Sequence, residues 1–238
     1  ITGLNIINAN NGSNIVMTSS TGYDLVSGQI AVDATSALNI SGVVRDQVSP
    51  ALASSLTKTG AGVLTLSGSN TFTGGNNLNA GTIAVGNNAA LGAGNLVMAD
   101  GTTLQAAVNN IALANNISVA GVSTVDTNGS NFSLSGNVTA TGGVTKIGAG
   151  TLTLSGASNS YSGGTNVNAG TLKSSVSGAF SSNSAFVVSA GATLDLNGYS
   201  QTIGSLAGTG NTSLGSGNLT TGGNNTSTSY SGSIDGSG

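Results

Sequence analysis

Residues 58–83 return almost unchanged at residues 146–172, and that doubling constrains the fold more than any other feature of the chain. KTGAGVLTLSGSNTFTGGNNLNAGTI aligns with KIGAGTLTLSGASNSYSGGTNVNAGTL, one residue longer, at 18 identities in 26 positions. Most differences are conservative, such as Phe72 for Tyr161, Leu78 for Val167 and Ile83 for Leu172. A chain with an internal repeat of this length is read as a stack of similar units.

A smaller unit lies inside the large one. A Gly-containing corner recurs at Gly81, Gly101, Gly121, Gly142, Gly170 and Gly191, at steps of 20, 20, 21, 28 and 21 residues. A period near twenty is one coil of a solenoid. Between corners the apolar residues alternate: Leu64 and Leu66, Ile83 and Val85, Ile111 and Leu113, Ile117 and Val119, Phe132 and Leu134, Leu152 and Leu154, Leu194 and Leu196. Spacing of two puts each pair on one side of a strand, and the Gly and Asn every few residues disfavour helix. The expectation is an all-β chain of short strands, roughly three per coil, stacked so that each coil shelters the aliphatic groups of its neighbours. The whole of 1–238 is expected to be a single continuous β-solenoid segment with large repeats at about 43–135 and 137–231.

Composition fits a column without a charged surface. Charged residues make up 5% of the chain and aromatic residues 3%, with 39 glycines, one proline, and no Trp, Cys or His. The apolar residues are regularly placed and the net charge is −3, which argues against disorder. The cations are Arg45, Lys58, Lys146 and Lys173, too few for a phosphate-binding surface, so no nucleic-acid partner is expected. No run of eighteen apolar residues and no signal-peptide pattern occurs.

Most familiar chemistries lack their residue types. A Ser-His-Asp triad needs histidine, and His or Cys metal sites have no ligands here. The seven aspartates, Asp24, Asp33, Asp46, Asp100, Asp126, Asp195 and Asp235, are scattered, which gives calcium no cluster. Polysaccharide-cleaving solenoids need paired, tuned carboxylates beside Arg or Lys, and the adjacent Arg45-Asp46 reads as a solvated loop. That pair lies in an insertion: ten residues separate Gly136 from Lys146, but sixteen separate Gly42 from Lys58, and the extra stretch, with Pro50, is expected to bulge from the rod. No enzyme, no cofactor and no metal site is therefore expected. Flat Thr-x-Thr arrays bring ice binding to mind at Thr65, Thr151 and Thr153, but their wide spacing favours ladder filling.

The candidate site residues are the signature itself, expected to be structural because they recur: Lys58, Gly60, Gly62, Leu64, Leu66, Gly68, Gly74, Gly75 and Gly81, with Lys146, Gly148, Gly150, Leu152, Leu154, Gly156, Gly163, Gly164 and Gly170. Phe72 and Tyr161 are expected to cover the Gly-Gly corner that follows each of them.

The signature K-x-G-A-G-x-L-T-L-S-G, then N-x-[FY]-x-G-G, then N-A-G-T-[IL], resembles the passenger-associated transport repeat of bacterial autotransporters, the type V secreted proteins. The runs at 197–210 and 231–238 resemble passenger sequence as well. The resemblance implies a right-handed parallel β-helix outside a Gram-negative cell, secreted through a C-terminal outer-membrane barrel that this sequence does not contain. The repeat itself argues export and shape, not a ligand; the chain is expected to be a rigid extracellular stalk or adhesin that contacts host surfaces, other cells or matrix through low-charge polar faces. Self-association into a fibre or biofilm, through strand edges or coil ends, is the alternative within binding, and a carbohydrate-active enzyme the alternative outside it. The last residues, 230–236, repeat the lead-in to the signature, so a third copy is expected to follow.

Overall fold

The computed structural model describes residues 6–8, 14–17, 23–25, 28–32, 34, 36–48 and 51–238. Within them the chain is a β-solenoid whose strands pair in parallel with the same strand of the next coil, the sole antiparallel pair being a short hairpin at Val44–Val48 and Ala51–Leu52. No helix occurs among the described residues, as the Gly and Asn spacing predicts.

A sheet of ten strands runs from Asn14–Met17 to Ser205–Gly208. It will be called the long sheet. A leading sheet of seven strands runs beside it from Ile6–Asn8 to Val138–Thr139, and a trailing sheet of seven from Ile111–Leu113 to Ile234–Gly236. Register in the long sheet is continuous: Ile15, Leu38, Leu64, Ile83, Leu104, Val125, Lys146, Val167 and Val188 stack in one column. From Ile83 to Val188 each step in that column is 21 residues, so the period near twenty is the true coil length.

All seven alternating pairs singled out in the sequence point inward and are buried. They join one contiguous core that extends from Ile30 to Leu206, with no private core in any part. Each strand alone has one apolar side and no partner for its backbone. Stacking supplies both, because the ladder satisfies N–H and C=O groups while the inward columns exclude water.

The signature does not occupy the same place in its two copies. In the first, its strands are Leu56–Thr59 and Asn76–Leu78 in the leading sheet and Val63–Leu66 and Thr82–Val85 in the long sheet. In the second they are Gly143–Ile147 and Thr165–Val167 in the long sheet and Thr151–Leu154 and Thr171–Ser174 in the trailing sheet. The repeat has advanced by one side around the solenoid axis. This explains the odd 28-residue step between Gly142 and Gly170, which amounts to one coil of 21 plus one side of about seven. The six corners are therefore not one column: Gly142 precedes a long-sheet strand, whereas Gly170 and Gly191 precede trailing-sheet strands.

After the second strand of each signature coil, one side of the solenoid loses its strand for two coils, at 67–75 and 86–95, and again at 155–164 and 175–184. Large side chains fill the space from inside: Phe72 and Leu91 in the first case, Tyr161 and Phe180 in the second, all within 2% of full burial. Phe72 and Tyr161, expected to cover the Gly-Gly corner that follows each, are core residues, and Tyr161 OH lies 2.8 Å from Oγ1 of Thr165, directly after its Gly-Gly pair.

The insertion also differs from expectation. Val44–Val48 is a strand, paired with Tyr23–Leu25, and Asp46 is no freely solvated loop residue. Its carboxylate accepts from Ser54 N at 2.8 Å, Thr73 N at 3.0 Å and Thr73 Oγ1 at 2.7 Å, which ties the hairpin to the following coil. Slight burial pushes its pKa up, but the donors at Thr73 and Ser54 outweigh that and hold it below 3.8. Pro50 lies outside the described residues.

Candidate functional site: the lysine corners

The signature builds one local structure twice. Lys58 takes an inward position in the leading sheet, in a column with Ile30, Leu78, Met98 and Val119. Lys146 does the same in the long sheet, between Val125 and Val167. Both are 0% exposed. Their stems fill core space that aliphatic residues fill in neighbouring coils, and each ammonium turns toward the corner that follows.

There it meets backbone carbonyls. Lys58 Nζ donates to Thr59 O at 2.9 Å, Gly60 O at 2.6 Å and Ala80 O at 3.1 Å. Lys146 Nζ donates to the equivalent oxygens, Ile147 O at 3.0 Å, Gly148 O at 2.7 Å and Ala169 O at 2.8 Å, and also reaches Thr127 Oγ1 at 3.2 Å. Two of these acceptors belong to the lysine's own K-x-G-A-G corner. The third belongs to the N-A-G-T corner of the next coil, so the two halves of the signature are joined through one side chain. Among the described residues neither ammonium is hydrogen-bonded to a carboxylate, whereas Lys173 pairs with Asp195 at 3.6 Å where both side chains are partly exposed. Burial pushes both lysines down to about 8, an effect that nearby Asp126 partly opposes at Lys146.

The glycines of the signature pack corner on corner. Gly60 and Gly148 adopt φ of 74° and 78°, a region that L side chains rarely enter. A Cβ on Gly81 would lie 2.6 Å from Gly60 O and Gly62 O, and one on Gly170 would lie 2.4 Å from Gly150 O and 2.6 Å from Gly148 O. Gly68, Gly156, Gly74 and Gly163 are likewise pressed against the backbone of the preceding coil. Gly75 and Gly164 are not, since a Cβ on either would meet nothing closer than 3.5 Å. Leu64, Leu66, Leu152 and Leu154 lie in the core.

Two residues with a definite role were visible in the motif but not singled out. Asn70 Oδ1 accepts from Val44 N at 2.8 Å and its Nδ2 donates to Ala90 O at 2.6 Å. Asn159 makes the matching bonds, accepting from Val138 N and donating to Ala179 O. Val44 and Val138 each begin a strand that no parallel strand follows. The signature asparagine therefore caps the edge of a sheet that ends there, and links the coil before to the coil after. Its signal was its identity in both copies, next to the aromatic residue that replaces the missing strand.

Among the described residues no three metal-ligating side chains gather, and no helix is long and apolar enough to cross a membrane.

The passenger-associated transport repeat family matches the chain twice, at residues 56–85 and 144–173, which are the two lysine corners with their flanking strands. Over 111 residues, 46% of the chain, it is 36% identical to a Brucella suis biovar 1 (strain 1330) protein described as adhesin BmaC autotransporter, and it spans 3% of that protein's length. No solved structure matches the chain. In these two segments, each built on a buried lysine clamp, the chain is similar to the passenger sequence of autotransporters.

Proposed function

We propose that this chain is a rigid, non-enzymatic stretch of an extracellular stalk that also serves as an adhesive surface toward host cells, other cells or matrix. The observation that carries this reading is the outer face of the coils, which is polar, periodic and nearly uncharged. On the long sheet Thr82, Thr103, Thr124 and Thr145 stack in register, and on the trailing sheet Thr151, Thr171 and Thr193 do the same. Such hydroxyl columns suit contact through many weak hydrogen bonds spread along a rod, where affinity comes from repetition. The name of the Brucella protein, an adhesin, agrees with this.

Beads coated with the folded chain test it. Retention on host cells or on matrix proteins, reduced when Thr103 and Thr124 are replaced by Glu, is the expected result. No retention above bare beads would contradict the adhesive part. Concentration-dependent assembly without retention would favour a fibre, a reading to which the half-exposed Ile234 on the last trailing strand lends support.

A further inference from the structure

The sequence holds three Asn-Gly pairs, at 11–12, 128–129 and 197–198. The first lies outside the described residues. The other two share the frame Asp-x-Asn-Gly and the same corner geometry. Asn128 and Asn197 have φ of 48° and 49°, and the glycines after them 76° and 80°. The backbone N–H of each asparagine donates to the aspartate two residues earlier, Asp126 or Asp195, at 2.7 Å. Each side-chain amide donates to a carbonyl of the preceding coil, Ala106 or Ser174, at 3.3 Å.

The next coil makes the difference. Gly198 N–H donates to Leu214 O at 3.2 Å. Gly215 lies so close that a Cβ on it would come within 2.8 Å of Gly198 N. Gly129 N–H has no hydrogen-bond partner among the described residues, and nothing stands within 4 Å of where its Cβ would be. The following coil packs on the residues beside the tip, with Gly148 against Asn128 N, but leaves the tip itself open.

We propose that Asn128 is a site of spontaneous deamidation and isoaspartate formation, and that Asn197, in the same local sequence, is shielded by the coil stacked on it. The Gly129 amide nitrogen, having given its proton to base, attacks Cγ of Asn128. The new C–N bond closes a five-membered succinimide, the Cγ–Nδ2 bond breaks, and Nδ2 leaves as ammonia with a proton from solvent. Water then opens the ring. Cleavage at the Cγ carbonyl gives aspartate, and cleavage at the α-carbonyl gives isoaspartate, whose main chain runs through the former side chain. No oxidant, metal or enzyme is required. Glycine favours the attack because it carries no Cβ beside the nitrogen. The nitrogen must swing onto Cγ, and at Gly198 that motion breaks a hydrogen bond and drives backbone against Gly215. At Gly129 it breaks nothing. The product places a second carboxylate beside Asp126, on the corner against which Gly148 of the second lysine clamp is stacked.

The test is peptide mapping by mass spectrometry, with isoaspartyl methyltransferase labelling, after incubation of the intact folded chain in mildly alkaline buffer. A parallel sample in guanidinium chloride reports the unhindered rates. In the denatured chain both pairs should react alike, while in the folded chain Asn128 should convert at least about fivefold faster than Asn197. Equal rates in the folded chain, faster reaction at Asn197, or protection of both pairs would each overturn the proposal.

Discussion

Lys146 Nζ and the carbonyl oxygen of Ala169, 23 residues apart in sequence, are 2.8 Å apart across two coils, and Lys58 repeats the bond with Ala80 at 3.1 Å. A buried ammonium thus serves as a bolt between successive corners, held by carbonyl dipoles with no carboxylate bonded to it. Such a group is costly to bury and costlier to remove, because the carbonyls around it then lose their donor.

Replacing Lys58 or Lys146 by Met keeps the stem volume and removes the bolt. Each variant should lose about 1–3 kcal/mol at neutral pH in chemical denaturation. The pH dependence separates the bolt from simple packing. Between pH 8 and 10 the unfolded chain keeps a lysine proton that the folded chain has released, so the unfolding free energy of the parent chain should rise with pH. The slope is at most about 1.4 kcal/mol per pH unit per lysine, and each Met variant should lack its share. Above pH 10 Tyr161 acts in the opposite direction: burial pushes its hydroxyl up to about 12, so the unfolded chain loses that proton first.

The two copies differ at one polar pair. Tyr161 OH lies 2.8 Å from Thr165 Oγ1, which in turn lies 2.8 Å from Ser184 Oγ. The first copy has Phe72 and Asn76 at the matching positions, and Asn76 Oδ1 is buried with no hydrogen-bond partner. Phe72→Tyr supplies a hydroxyl where the second copy has one, and is expected to stabilise the chain by about 1 kcal/mol. A loss measured by thermal or chemical unfolding would show that the two pockets are not equivalent.

Adjacent glycines should respond unequally. Gly163→Ala forces a Cβ to within 2.4 Å of Gly142 C, and a loss of about 1–3 kcal/mol is expected from overpacking. Gly164→Ala meets only Ala185 O at 3.5 Å and should stay within about 0.5 kcal/mol of the parent. Similar unfolding midpoints for the two variants would remove the case for corner-on-corner packing.

Asp46→Asn should weaken the tie between the hairpin and Thr73. Because this carboxyl is held below 3.8, the stability it contributes is present above that pH and is lost as pH falls through its lower folded value. The parent chain should therefore lose more stability on acidification than the Asn variant, as followed by denaturation at a series of acidic pH values.

The sequence made some of this legible and hid the rest for physical reasons. Inward alternation at Leu64 and Leu66 or Phe132 and Leu134 could be read directly, because a strand buried on one side must repeat every second residue. The recurrence of Lys58 and Lys146 showed that lysine belongs to the motif. It did not show that the ammonium reaches Ala80 or Ala169, since that contact exists only once a second coil is in place. The 28-residue step was visible as a number, yet the change of sheet behind it needs the register of the strands. Asn70 recurs as Asn159, which marked it as part of the motif, but it caps Val44 from 26 residues away, across an insertion of unequal length, so its partner could not be read locally. Asp46 was misjudged for the same reason, its partner Thr73 lying in the following coil.

The most direct measurement is an NMR titration of the lysine side chains in the folded chain, with Lys58→Met and Lys146→Met used for assignment. Both buried lysines should titrate near pH 8, with slow solvent exchange of their amine protons. Titration of both at the ordinary 10.5, with rapid exchange, would contradict the buried clamp on which the reading of the repeat depends.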